Sequence, residues 1–325
     1  MSKTVLVTGA AGFIGSNVAE HFLARGDRVL GLDCLDDYYD VRRKRANLAA
    51  LAKNKAFELV EGDLRSPEVS KKAVSDVDLV VHLAARPGVR ASIDDPRRTY
   101  DMNVMATLNL LEAMRARKLA RLVFGSTSSV YGGDAPLPFK EEAPSSRPLS
   151  PYAASKRACE LLIASYVEIH GLGAITLRLF TVYGPRGRPD MSVGRFVEAA
   201  LSGKSVPLYG DGSVTRDFTY VDDIARGVVA AAERVKARDL FLVNLGGSER
   251  SSVKDLIDTV ERTTGKPLKL DRFPPSQGDA PTTWASVERA RDLLGWRPEI
   301  KLEEGVARTV AWAKRAREEH PGVYE

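Results

Sequence analysis

Cysteine is scarce in this 325-residue chain: Cys34 and Cys159 are the only two, and they stand far apart. Two thiols without metal-type spacing argue against a disulfide framework or a zinc site, and they suit a reducing compartment. Long apolar runs are missing as well, since none approaches the roughly 18 residues needed to span a bilayer. Met1-Ser2-Lys3 runs straight into the strand-like Thr4-Val5-Leu6-Val7-Thr8, which leaves no room for a signal peptide. A cytoplasmic protein without membrane association is expected. There is no internal repeat and no low-complexity linker. Hydrophobic residues make up 44% of the chain, enough for one large α/β domain or a large and a small one.

The charge excess is small. Lys and Arg number 48 against 43 Asp and Glu, a net charge of +5, and they are spread along the sequence. Only Arg42-Arg43-Lys44-Arg45 forms a cluster, in a helix-like stretch. Without interleaved aromatics or an RNA-binding motif it reads as a solvated helix face, and no nucleic-acid partner is expected.

What is present begins at the N-terminal end. Thr4 to Thr8 reads as a buried strand, followed by Gly9-Ala10-Ala11-Gly12-Phe13-Ile14-Gly15 and a helix ending at Gly26. A second strand, Arg28 to Leu32, leads into Asp33. This order of strand, glycine turn, helix, strand and acid is the context of a dinucleotide site. Glycines let the backbone approach a pyrophosphate at the helix N-terminus, where free N–H groups and the helix dipole favour an anion. Asp33 would accept from ribose hydroxyls and repel a 2′-phosphate, so NAD is expected rather than NADP.

The alternation continues. Strands are predicted at Phe57–Glu61, Leu79–Leu83, Arg121–Gly125 and Ala174–Leu179, with helices between them at Tyr100–Arg117 and Tyr152–His170. Near-continuous apolar strands alternating with helices predict a parallel sheet covered on both faces, an α/β Rossmann-type doubly wound fold. Ligands on such sheets bind beyond the carboxyl ends of the strands, where Asp63, Ala84-Ala85 and Thr127 fall. Asp63 has an alternative as a helix cap before Pro67. After residue 180 the segments shorten and turns multiply, as a smaller mixed α/β lobe over the ligand edge would require. The expected division is a dinucleotide domain at 1–180, with returning segments near 220–250, and a substrate lobe at 181–325.

Tyr152-Ala153-Ala154-Ser155-Lys156 places a phenol and an ammonium four residues apart on one helix face. Such an ammonium would favour the phenolate and make the Tyr a general base. The pattern is short and common, so alone it says little.

Several motifs in order make it specific: Thr8 to Gly15, Gly62-Asp63-Leu64, His82-Leu83-Ala84-Ala85, Ser126-Thr127-Ser128-Ser129-Val130-Tyr131-Gly132, Tyr152-x-x-x-Lys156, and Arg216 to Asp223. Together they resemble the extended short-chain dehydrogenase/reductase family, and within it the NAD-dependent nucleotide-sugar epimerases, nearly end to end. The resemblance implies Tyr152 as base, Lys156 as holder of the nicotinamide ribose and the phenolate, and Thr127 as the group that orients the sugar hydroxyl. It implies cofactor contacts at Gly9, Gly12, Phe13, Ile14, Gly15, Asp33, Asp63, Leu64, Leu83, Ala84, Ala85 and Asn103. Relatives that dehydrate or decarboxylate the sugar carry extra carboxylates where Ser128 and Ser129 stand here, which favours plain epimerisation.

Two further stretches resemble UDP-glucuronate 4-epimerases: Asp36-Asp37-Tyr38-Tyr39-Asp40, and Phe180 to Asp190. A glucuronate carboxylate excluded from water needs a charge-assisted partner. By family position Arg188 is that partner, with Thr181 as a neutral donor and Ser128 a further substrate contact. UDP-galactose 4-epimerases usually carry an Arg three residues before the acid of Gly278-Asp279, but here Ser276 stands there. Diphosphate contact would then fall to Arg216, with Asp279 a further substrate contact. A UDP-glucose/UDP-galactose or dual-specificity epimerase remains an alternative, as does a non-catalytic NAD-binding protein of the same fold. Relatives often form homodimers through the helices matching Tyr100–Arg117 and Tyr152–His170, so a homodimer is expected.

Overall fold

A computed structural model describes residues 2–133, 135–247, 249–274 and 282–324. In chain order the elements are β1 (Thr4–Thr8), α1 (Phe13–Ala24), β2 (Arg28–Asp33), α2 (Val41–Leu51), β3 (Phe57–Glu61), α3 (Pro67–Ala73), β4 (Leu79–His82), α4 (Val89–Asp94) and α5 (Pro96–Tyr100). A π turn (Asp101–Met105) leads into α6 (Ala106–Ala116), then β5 (Arg121–Thr127), a 3₁₀ turn (Ser128–Tyr131), α7 (Pro151–His170) and β6 (Gly173–Leu179). The remainder is β7 (Thr181–Tyr183), α8 (Ser192–Ser202), β8 (Ser205–Tyr209), β9 (Thr215–Arg216), β10 (Phe218–Tyr220), α9 (Val221–Arg234), β11 (Leu240–Leu245), β12 (Ser251–Ser252), α10 (Val253–Thr264), β13 (Lys269–Phe273), α11 (Glu288–Leu294) and α12 (Leu302–Glu319).

Seven strands form one parallel sheet in the order β11-β6-β5-β4-β1-β2-β3. The order reverses between β1 and β4, where Val5 faces Leu79 and Thr8 faces His82. A crevice opens beyond the strand ends at such a switch point, and this is where a ligand binds. The inner strands are apolar because helices cover both faces, while the edge strand β3 keeps Glu58 and Glu61 exposed. On one side Val18 and Phe22 of α1 meet Ile224 and Val228 of α9 and Trp296 after α11. On the other, Leu110 and Met114 of α6 meet Cys159, Ile163 and Val167 of α7 over Leu6, Val80 and Phe124. A side chain such as Phe22 or Phe124, 1% and 0% exposed, contributes about 1.5–3 kcal/mol on burial.

A separate core lies over the carboxyl edge of the sheet. Parallel strands β8 and β13 pack with α8, α10 and α12 around Phe196, Leu256, Val260, Val306 and Val310. The chain crosses between the two cores more than once: β10 pairs with β7, and β11 then closes the main sheet beside β6.

Two expectations change. The continuous helix read over Tyr100–Arg117 is three pieces, because the π turn at Asp101–Met105 interrupts it. There Asn103 turns inward, accepts from the Arg86 amide at 2.7 Å and donates to the Ser155 hydroxyl at 2.9 Å. Nor is Arg42–Arg45 wholly solvated. Arg43 and Lys44 are buried: Arg43 pairs with Glu198 at 2.9 Å and donates to the Val323 carbonyl, and Lys44 donates to the Asp36 carbonyl at 2.7 Å. The cluster ties α2 to α8, to the C-terminal segment and to the loop after β2.

Candidate active site

A cleft opens at the switch point. One wall is the turn between β1 and α1. Gly9 has φ +72°, and a Cβ on it would meet the Ala84 amide nitrogen at 2.9 Å. A Cβ on Gly15 would sit on the Gly9 carbonyl oxygen. Only glycines permit this turn and its close approach to the β4 end. Helix α1 follows Gly12, which caps it without a side-chain hydrogen bond, so no capping side chain occupies the N-terminal end where an anion would bind. Phe13, Ile14, Leu83, Ala84 and Ala85 complete this wall.

Asp33 ends β2 with its carboxylate fixed: Oδ2 accepts from the Ala11 amide at 3.0 Å and Oδ1 from the Leu35 amide at 2.8 Å. Each oxygen keeps a further lone pair for a hydroxyl donor. Asp63 and Leu64 also line the cleft. Asp63 is no helix cap, because Ser66 caps α3 by accepting from Val69. Its carboxylate instead grips Arg65, accepting from Nε at 2.9 Å and Nη2 at 2.6 Å. The glycine cradle, the uncapped helix start and the acid at the β2 end fit an NAD dinucleotide.

Helix α7 carries the opposite wall. Ser150 caps it by accepting from the Ala153 amide at 3.2 Å, and Pro151 takes the first helical position. That start places Tyr152 and Lys156 one turn apart, both lining the cleft. Lys156 is buried, with Nζ 4.3 Å from the centroid of the Phe124 ring and no carboxylate paired to it among the described residues. Burial pushes its ammonium down to about 8, against opposing influences of Cys159 and Glu160.

Burial pushes the Tyr152 phenol above its ordinary value, while the charge of Arg188 and a hydrogen bond with Thr127 pull it back. Arg188 is a further cation whose charge favours the phenolate. Tyr152 and Lys156 share the cleft, as their spacing indicated, with Lys156 over the Phe124 ring. Beneath it His82 is locked neutral. Thr8 Oγ1 accepts from the Leu83 and Ala84 amides, so it donates to His82 Nδ1 at 2.7 Å. Thr107 Oγ1 donates to the Asn103 carbonyl and accepts from His82 Nε2 at 3.1 Å. Burial, then the Lys156 charge, drive this imidazole down to about 3.

Ser126 lines the cleft, and its hydroxyl donates to Glu160 at 2.6 Å. Glu160 lies two turns along from Tyr152 and pairs with the buried Arg178 of β6 through Nε at 3.0 Å and Nη2 at 2.8 Å. This pair fastens α7 to the ends of β5 and β6. Thr127 starts the 3₁₀ turn by accepting from the Ser129 amide at 3.2 Å.

The structure brings Gly9, Gly12, Phe13, Ile14, Gly15, Asp33, Asp63, Leu64, Leu83, Ala84, Ala85, Tyr152, Lys156 and Arg188 into one cleft. Thr127, Ser128, Thr181, Arg216 and Asn103 are not among its lining. Thr127 reaches it through Tyr152, and Asn103 supports it from behind, its amide spent on Arg86 and Ser155. Asp279 lies outside the described residues. Asp36, Tyr38, Tyr39, Lys44, Pro87, Met102 and Ser126 also line the cleft without having been singled out as contacts. Tyr38, Tyr39 and Ser126 sit within stretches the motifs marked, whereas Pro87 and Met102 carry no signal.

Fold and site define a dinucleotide-binding protein of the Rossmann type. Residues 5–246 match the NAD dependent epimerase/dehydratase family, and the chain belongs to that family. It is 44% identical over 312 residues to the UDP-glucuronate 4-epimerase of Thermodesulfobacterium geofontis, covering 95% of each chain. Among solved structures, it is similar to the UDP-glucuronic acid 4-epimerase of Bacillus cereus in complex with UDP-glucuronic acid and NAD. The TM-score is 0.91 at 37% identity, covering 96% of this chain and 99% of the other. It is also similar to the UDP-glucose 4-epimerase of Thermotoga maritima with UDP-glucose, with a TM-score of 0.87 at 30% identity, covering 96% and 99%.

Proposed function

We propose that this protein is an NAD-dependent UDP-sugar 4-epimerase that interconverts UDP-glucuronate and UDP-galacturonate. The observation that carries this reading is the cleft itself. A general-base candidate, Tyr152, and a cation suited to a carboxylate, Arg188, face the same space as the dinucleotide cradle.

Bound NAD supplies a reversible acceptor for the C4 hydride of the sugar. Gly9, Gly12 and Gly15 would admit its pyrophosphate at the start of α1, and Asp33 its adenosine ribose. Tyr152 removes the C4 hydroxyl proton as the hydride leaves. The 4-keto sugar then turns within the site, the hydride returns to its other face and Tyr152 gives back the proton, so the net reaction is an isomerisation. Thr127 stabilises the phenolate and aims the hydroxyl. Lys156 would hold the nicotinamide ribose through its ammonium. The 4-keto uronate is a β-keto acid, and it loses CO₂ when its carboxylate C–C bond stands perpendicular to the carbonyl plane. Arg188, with Thr181 and Ser128, holds the carboxylate out of that orientation, and Arg216 serves the diphosphate. Ser128 and Ser129 supply no acid for dehydration.

The active form is a homodimer. On the outer surface of the α4–α7 layer, Ile93, Tyr100, Met105, Leu161 and Ile169 remain exposed, an apolar face suited to an isologous contact.

Incubating the purified protein with NAD and either UDP-glucuronate or UDP-glucose, and resolving the products, tests the reading. UDP-galacturonate from UDP-glucuronate is expected. Turnover of UDP-glucose alone would transfer the assignment to the neutral sugar, and no turnover of either would leave an NAD-binding protein.

A further inference from the structure

The loop after β2 and the turn after β7 meet across the cleft mouth. The Tyr38 hydroxyl donates to Asp190 Oδ2 at 3.2 Å. Asp190 accepts from Arg188 through both oxygens, Nε to Oδ1 at 2.9 Å and Nη2 to Oδ2 at 2.8 Å. Nη2 also lies 3.4 Å from Met191 Sδ. One edge of the guanidinium is therefore committed within the protein, and Nη1 is the nitrogen left for a ligand. An arginine on a free stem samples many rotamers, and a bidentate partner removes most of that freedom before substrate arrives.

Tyr38 is itself held. The Arg86 guanidinium lies 5.4 Å from its ring centroid. Arg98 Nη2 bonds both Asp36, at 2.6 Å, and Asp37, at 2.7 Å. Lys44 donates to the Asp36 carbonyl. The Asp36 side chain is only 11% exposed, so this part of the loop is packed, while Asp37 and Asp40 stay at the surface. Opposite it, Gly88 has φ +100°, and any Cβ there would strike the Tyr38 hydroxyl.

We propose that Tyr38 and Asp190 are positioning residues that aim the Nη1 side of Arg188 at the sugar carboxylate, so that uronate selectivity is set partly from the cofactor-side loop. The proposal rests on the uronate reading above. It accounts for the Asp36–Asp40 stretch, which reaches the substrate through Arg188. Asp190 is a support for the arginine and not a rival for it, because it occupies the Nε edge.

The test uses the full-length, NAD-loaded enzyme and compares wild type, Tyr38→Phe and Asp190→Asn. Calorimetry gives the dissociation constants of UDP-glucuronate and UDP-glucose, and product analysis gives the UDP-pentose fraction. Tyr38→Phe keeps the ring and removes one hydrogen bond, so the preference for glucuronate over glucose falls about fivefold. Asp190→Asn loses the charge as well; the preference falls about tenfold, the KM for UDP-glucuronate rises more than kcat falls, and the pentose fraction increases. Unchanged preference and pentose fraction in both variants would overturn the relay. So would tighter glucuronate binding by Asp190→Asn, which would make Asp190 a competitor, or equal losses for both sugars, which would make the contacts merely structural. Wild type that fails to turn over UDP-glucuronate defeats the uronate reading and the relay with it. Wild type that succeeds beside unaltered variants defeats the relay alone.

Discussion

Replacing Lys156 by Met should make the nucleotide-free protein more stable while abolishing its turnover. Lys156 is 3% exposed and pairs with no acid among the described residues. Burial brings its ammonium from 10.5 down to about 8. The sign follows from proton linkage. Between those two values the unfolded chain binds more protons than the folded one, so stability rises with pH across the window. Below it, at pH 7, the fold carries the full cost of a desolvated charge, which at about 1.36 kcal/mol per pH unit is about 3 kcal/mol. Contact with the Phe124 ring returns about 1–2 kcal/mol of that. Met keeps the length and apolar stem of the side chain without the charge. A net gain of about 1–2 kcal/mol follows. With an unfolding entropy of about 2.1 cal/mol/K per residue, this raises Tm by about 2–3 °C. Scanning calorimetry at pH 7 and at pH 10 checks it, with the variant's advantage narrowing toward zero at pH 10 as the wild-type lysine loses its proton. A variant less stable at pH 7, or an advantage unchanged between the two pH values, would refute the reasoning.

Other expectations concern the remaining parts of the site. Tyr152→Phe should eliminate turnover and leave NAD bound, as read by activity and by the nucleotide released on denaturation; substantial residual activity would remove Tyr152 as the base. Gly15→Ala places a methyl on the Gly9 carbonyl oxygen and should weaken NAD binding at least tenfold by fluorescence titration, because the turn must open. Glu160→Gln strands the buried Arg178 guanidinium, whose side chain is 1% exposed, and should cost about 3–5 kcal/mol in denaturant unfolding. Arg188→Ala should raise the UDP-pentose fraction formed from UDP-glucuronate, and an unchanged product profile would argue against its holding the carboxylate.

Much of the frame was legible because local physics writes it into the chain. The strand at Phe57–Glu61 has the bounds read from the sequence. Ser150-Pro151 and Gly171 mark the ends of α7, and the glycine turn with Asp33 marks the crevice. What was hidden depends on partners distant in sequence. Arg43 and Lys44 look like surface charge until Glu198, Val323 and Asp36 arrive beside them. The π turn is invisible to periodicity because the reason for it, Asn103 reaching Arg86 and Ser155, is tertiary. The same holds at the centre of the site. A Tyr and a Lys four apart were enough to put both in the cleft, yet the Phe124 ring under Lys156 and the charge of Arg188 that acts on the phenol come from residues distant in sequence. Helix spacing shows which side chains share a face, but what each of them faces is set by the rest of the fold.

The central claim is that the sugar is oxidised at C4 and reduced again there without release of the hydrogen. UDP-glucuronate deuterated at C4, converted in ordinary water by the NAD-loaded enzyme, tests it most directly by mass spectrometry and NMR of the product. The account predicts UDP-galacturonate that retains the deuterium at C4. Product that has lost the label to solvent would contradict it.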